Sequence, residues 1–167
     1  ANAGTLRLQD TASAAGATVT NAAGGQVRID LTTTGTSIGS LGGAGDVVLG
    51  TKTLTTGALG TDNTISGAIT GTTGSLVKVG AGTLTLSGTA TYSGETRVTA
   101  GTLKAGATNA FSAASSAVVA SGATLDLGGF SQKMAGLTNS GTVSLLGTVP
   151  GTTLTSVSYT HLRAHET

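Results

Sequence analysis

The chain has 167 residues and a net charge of +1, with 28 Gly, one Pro, no Cys, no Trp, 2% aromatic and 9% charged residues; without a Gly-X-Y period it is not collagen-like. A mean hydropathy of +0.26 with so little charge argues for packing over the solvated disorder of highly charged chains, and no apolar run approaches the roughly 18 residues of a membrane span. The missing Cys removes disulfides, zinc-thiolate sites and cysteine nucleophiles, while scattered cations (Arg7, Arg28, Lys52, Lys78, Arg97, Lys104, Lys133) without interleaved aromatics leave no nucleic-acid footprint.

In chain order, Ala1-Asn2-Ala3-Gly4 carries no Met, basic region or apolar stretch and reads as the interior of a longer chain. Gly4-Thr5-Leu6 is the first turn-into-strand step. Val27, Ile29 and Leu31 alternate with Arg28 and Asp30, a period of two that predicts a half-buried strand. Gly39 to Gly45 is as glycine-rich as a phosphate loop. A strand, Val47-Val48-Leu49, follows it where such a loop needs a helix N-terminus, so these are turn glycines. Leu84 and Leu86 point one way, and Thr83, Thr85 and Ser87 the other; Leu125 and Leu127 flank Asp126 in the same manner. Strand starts at Leu84, Leu103, Leu125 and Val143 are 19, 22 and 18 residues apart. That spacing fits one coil of a β-solenoid and is too short for a helical repeat of about 34.

A longer repetition overlies the short one. A shift of 96 carries Ile29-Asp30-Leu31 onto Leu125-Asp126-Leu127, and Ile38, Leu41, Val47 and Leu49 onto Met134, Leu137, Val143 and Leu145; at 97, Gly4-Thr5-Leu6 meets Gly101-Thr102-Leu103. The expected architecture is all-β: a right-handed parallel β-helix with strands of four to six residues and about 20 residues per coil. Inward Leu, Val and Ile form columns, Thr83 and Thr102 face outward, and each coil is stable only against its neighbours.

The stretch Leu76-Val77-Lys78-Val79-Gly80-Ala81-Gly82-Thr83-Leu84-Thr85-Leu86-Ser87-Gly88, followed by Thr91 to Thr96 and Ala100 to Leu103, resembles the passenger-associated repeat of bacterial autotransporters. Residues 122 to 132 and 38 to 50 are similar to it too. The resemblance implies a β-helical stalk of a secreted passenger on the Gram-negative cell surface, exported through its own C-terminal outer-membrane β-barrel, which is absent from this chain. It implies a non-enzymatic role in export and display, with adhesion or biofilm formation as an added one, and contact with host or cell-surface molecules or self-association. The motif defines no catalytic, cofactor-binding or metal residue, so none is assigned, and no cofactor is expected.

Two alternatives come from other classes. A polysaccharide-binding or polysaccharide-cleaving β-helix would need paired carboxylates. Asp30 and Asp126 stand in like contexts but about five coils apart, on the order of 24 Å, where glycosidase pairs need about 5 to 9.5 Å. Asp46, Asp62 and Glu95 form no cluster in the sequence. An ice-binding solenoid would use Thr-x-Thr ladders; Thr18-Val19-Thr20, Thr53-Leu54-Thr55, Thr83-Leu84-Thr85 and Thr153-Leu154-Thr155 share no common coil spacing.

The chain is expected to divide into a β-helical fragment, 1–155, containing the long repeat of roughly 96 residues, and a tail, 156–167, of foreign origin. The tail concentrates His161, His165, Arg163 and Glu166. Its His-Leu-Arg-Ala-His-Glu order lacks the Glu between the two His that zinc proteases use.

Overall fold

The computed structural model describes residues 3–145, 151–156 and 158–160 and contains strands and turns but no helix among them. The first four strands are Thr5–Asp10 (β1), Ala14–Asn21 (β2), Gln26–Thr32 (β3) and Gly35–Gly43 (β4). Shorter ones follow: Asp46–Gly50 (β5), Thr53–Thr56 (β6), Asn63–Ile65 (β7), Ile69–Gly71 (β8), Ser75–Lys78 (β9) and Thr83–Leu86 (β10). The series closes with Thr96–Val98 (β11), Thr102–Ala105 (β12), Ser116–Val119 (β13), Thr124–Asp126 (β14), Gln132–Met134 (β15), Gly136–Asn139 (β16), Thr142–Ser144 (β17), Leu154–Ser156 (β18) and Tyr159–Thr160 (β19). All pair in parallel, each with a strand about one coil away, giving a β-solenoid of about 7 turns at ~21-residue spacing.

Three ladders run along the solenoid. The first joins the start of β4 to β6, β9, β11, β13, β16 and β19; the second joins the end of β4 to β7, β10, β12, β14 and β17. The two form one sheet only because β4 is long enough to serve both. The third is β1-β3-β5-β8, extended by an isolated bridge from Ile69 to Ala90 and resumed by β15 with β18. From β5 onward a coil therefore spends one short strand on each of the first two faces and, except in the coils around Ala90 and Asn109, one on the third, with turns joining them.

Period-two alternation decides which side chains enter. On the first face Leu54, Leu76, Thr96, Ala117 and Leu137 are successive ladder partners, and all are buried. On the second, Leu84, Leu103 and Leu125 stack inside in register, with Thr83, Thr102 and Thr124 outside, as the alternation predicts. Burying one Leu contributes roughly 1.5–3 kcal/mol. The interior is narrow enough for aliphatic columns to fill, so few aromatics are needed.

The corners depend on backbone that only glycine supplies cheaply. Gly80 has φ 70°, and a Cβ there would collide with the carbonyl oxygen of Gly57, itself at φ 105° one coil earlier. Stacked glycines let two corners approach to strand spacing.

Two sequence expectations need correction. Leu31 does not continue the inward set of Val27 and Ile29: it is 44% exposed, and Thr32 is buried instead. Arg7 pairs with Arg28 but Gln9 with Leu31, so β3 carries an extra residue against β1, and this bulge reverses the alternation. The matches at shifts of 96 and 97 also join different faces. Ile29 lies on the third ladder and Leu125 on the second; Leu41 lies on the second and Leu137 on the first. These segments share a strand pattern and not a position around the coil.

Candidate functional site

The carboxylates singled out in the sequence are dispersed and individually engaged. Asp30 sits beside Arg28 at 2.6 Å, and the guanidinium's hydrogen bonds hold its carboxyl below the usual carboxylate range against a smaller opposing effect of burial. Asp126 pairs with Lys104 at 3.2 Å on a different face. Asp46 accepts the amide of Ala68 at 2.9 Å and Asp62 that of Thr83 at 2.7 Å, so both cap corners of the following coil. Glu95 pairs with Arg97 at 2.8 Å. Among the described residues no three His, Cys, Asp or Glu side chains lie close enough together to hold a metal ion. His161, His165 and Glu166 lie outside the described residues. The ladder itself runs past 155, since Ser156 pairs with Met134 and Tyr159 with Leu137.

The four Thr-x-Thr tripeptides stand on separate stretches of surface. Thr53 and Thr55 are on the first face, Thr18, Thr20, Thr83 and Thr85 on the second, and Thr153 and Thr155 at the edge of the third. A different column, Thr83, Thr102, Thr124 and Thr142, is in register. The neighbouring outward column breaks at Lys104 and Asp126, whose ion pair interrupts any regular hydroxyl array. A shallow hollow of ≈ 290 Å³ lies between Thr34, Gly35, Thr36, Ser37, Thr53 and Thr55. Its lining offers hydroxyls and no acid, base or cation, so it can hydrogen-bond but cannot transfer protons near neutral pH.

The more specific chemistry lies inside, around residues 76 to 115. Tyr92 is fully buried, and its hydroxyl lies 2.7 Å from that of Thr96, which lies 2.8 Å from that of Ser115. Ser115 Oγ donates to the Gly94 carbonyl at 2.5 Å. Each hydroxyl has one proton, so the order follows: Tyr92 donates to Thr96, Thr96 to Ser115, and Ser115 to the backbone. Burial pushes the Tyr92 phenol up to about 12, with the Thr96 bond opposing.

Lys78 is the second interior feature, at 1% exposure the only charged side chain in the core among the described residues. Its Nζ donates to the carbonyls of Val79 and Gly80, both at 2.8 Å, and of Ala100 at 3.3 Å. Burial lowers its pKa, and the charge of Asp62 opposes that shift. Its ladder partner Thr56 has a buried Oγ1 without a hydrogen-bond partner. In the sequence Lys78 stands only as one of several scattered cations. The signal that would have found it is parity, because it is two residues from inward Leu76.

Residues 76–105 match the model of the passenger-associated-transport-repeat. The chain carries an autotransporter passenger repeat. This passenger repeat contains β9 to β12, hence two strands on each of two faces, paired β9 with β11 and β10 with β12. The chain is also similar to the adhesin BmaC autotransporter of Brucella suis biovar 1 (strain 1330), 41% identical over 107 residues, or 64% of the chain. It spans 3% of that relative's length. No solved structure matches this chain.

Proposed function

We propose that this chain is a stalk segment of an autotransporter passenger, displayed on the surface of a Gram-negative bacterium through a C-terminal outer-membrane β-barrel encoded elsewhere in the protein. It carries out no catalysis; it stacks coils that extend the passenger from the cell, and its outward faces contribute to adhesion. The observation that supports this reading is the passenger repeat at 76–105, set in a parallel ladder that continues through about 7 turns. Support for adhesion is the similarity to a relative named as an adhesin. Asp30, Asp46, Asp62, Glu95 and Asp126, each engaged with its own partner among the described residues, do not support a polysaccharide-cleaving reading.

The test fuses residues 1–155 upstream of an autotransporter barrel in a non-adherent host cell. The segment should become accessible to protease added to intact cells and should raise attachment to epithelial monolayers over the barrel alone. Retention in the periplasm overturns the display reading. Surface display without added attachment removes adhesion and leaves a spacer. Depolymerisation of a polysaccharide panel, or a freezing-point gap with the purified chain, would establish one of the rival readings instead.

A further inference from the structure

A solenoid built of Gly, Thr and Leu has a register problem. A one-residue slip between coils turns every Leu outward and is strongly opposed. A two-residue slip is not: Leu84 set against Ala105, or Leu86 against Leu103, keeps apolar side chains inside and threonines outside. The step Gly82-Thr83-Leu84 recurs at Gly101-Thr102-Leu103, yet these columns specify facing far better than they specify position. Something polar and buried is needed to tell one register from the next, as a single core Asn does in coiled coils.

We propose that Lys78 is a register latch between coils: its buried ammonium binds corner carbonyls of two successive coils and is fully satisfied in one alignment only. The ammonium has three protons and no acceptor capacity. Two protons go to Val79 and Gly80 at its own corner, and the third to Ala100, 22 residues on, at the equivalent corner of the following coil. A slip of two residues moves the Ala100 carbonyl by roughly two strand rises, about 7 Å, and strands a charged N–H in the core. A buried unpaired charge is among the costliest defects a fold can carry. The surroundings fit a fixed cation. Asp62 is the charged group that acts on Lys78, and the Lys78 stem lies against the Gly57 corner, where a Cβ would come within 3.2 Å of its Cδ.

The latch also falls inside the passenger repeat. Donor and all three acceptors fall within 76–105, together with both strand pairs they align. The latch itself, from Lys78 to Ala100, thus lies wholly inside that segment. The inference rests on the repeat's geometry and goes beyond the stalk reading, so either can fail without the other.

The test uses the full chain. In wild type, nitrogen-15 spectra should show a slowly exchanging Lys78 ammonium with a coupling across the hydrogen bond to the Ala100 carbonyl carbon, while the exposed Lys133 ammonium exchanges freely. Lys78→Met keeps the stem and removes the charge; it should lower amide protection at residues 99–105 by about tenfold or more relative to β5, while Lys104→Met leaves both unchanged. An ammonium at Lys78 that exchanges as fast as that of Lys133 overturns the proposal. So does Lys78→Met protection at 99–105 within about twofold of wild type. If Lys78→Met does not fold, the wild-type ammonium spectrum decides alone.

Discussion

Tyr92 shows how one residue can couple this fold to pH. Its phenol donates into a chain of hydroxyls that ends on the Gly94 carbonyl, so the folded state holds the proton. With the folded pKa raised to about 12 from 10.0, the contribution is complete below pH 10 and is lost as pH rises toward 12. The unfolded chain releases the proton first over that window. Two pH units correspond to about 3 kcal/mol. Denaturant unfolding of wild type from pH 9 to 12 should show this decline, and Tyr92→Phe should flatten it. Lys78 acts with the opposite sign. Its folded pKa is lowered, so the unfolded state binds its proton more readily, and stability gains as pH rises to the unfolded value near 10.5.

At the scale of the strand, β12 separates packing from surface charge within two adjacent residues. Leu103 stacks between Leu84 and Leu125 and is fully buried, whereas Lys104 faces outward and pairs with Asp126 at 3.2 Å. Leu103→Ala should cost about 2–5 kcal/mol, because the rigid neighbouring coils cannot close the cavity. Lys104→Ala should cost under about 1 kcal/mol, because an exposed pair is screened by water. Thermal melts of the two variants compare the effects directly. The same alternation is what made this part of the fold legible in sequence: Leu84, Leu103, Leu125 and Val143 mark one ladder at coil spacing. The third ladder was legible only at its start, in Gly4-Thr5-Leu6, Val27 to Leu31 and Val47-Val48-Leu49. Its pattern is broken by the bulge that exposes Leu31, and its strand is missing from the coils around Ala90 and Asn109, where turns cross that face. The buried polar groups were hidden for a different reason. A Lys, a Thr or a Tyr carries no mark of burial unless its parity is followed from a neighbouring apolar residue, and the same holds for Gln132, which bonds the Phe111 amide and the Ala107 carbonyl and lies two residues after Phe130 and two before Met134.

Across the whole molecule, every coil touches chiefly the coil before and the coil after, so stability is a sum of local and nearest-neighbour contributions. A defect should therefore stay local. In Leu103→Ala, hydrogen exchange should accelerate at β10, β12 and β14, while β3 and β5 keep protection close to wild type. Equal loss of protection in β3 and β12 would mean that the solenoid unfolds as one unit. The long repeat read from the sequence does not set this behaviour, because a shift of 96 is not a whole number of coils of about 21 residues.

The strands run around the solenoid, so their hydrogen bonds point along its axis. A pull on the two ends along that axis loads these bonds one rung at a time, as a zipper is opened, and not all together in shear. Each coil that lets go frees about 21 residues, on the order of 70 Å of slack chain, while the coils beyond it remain wound. Under axial tension the segment would lengthen in coil-sized steps before any covalent bond is strained. Loaded in this direction, the solenoid yields coil by coil.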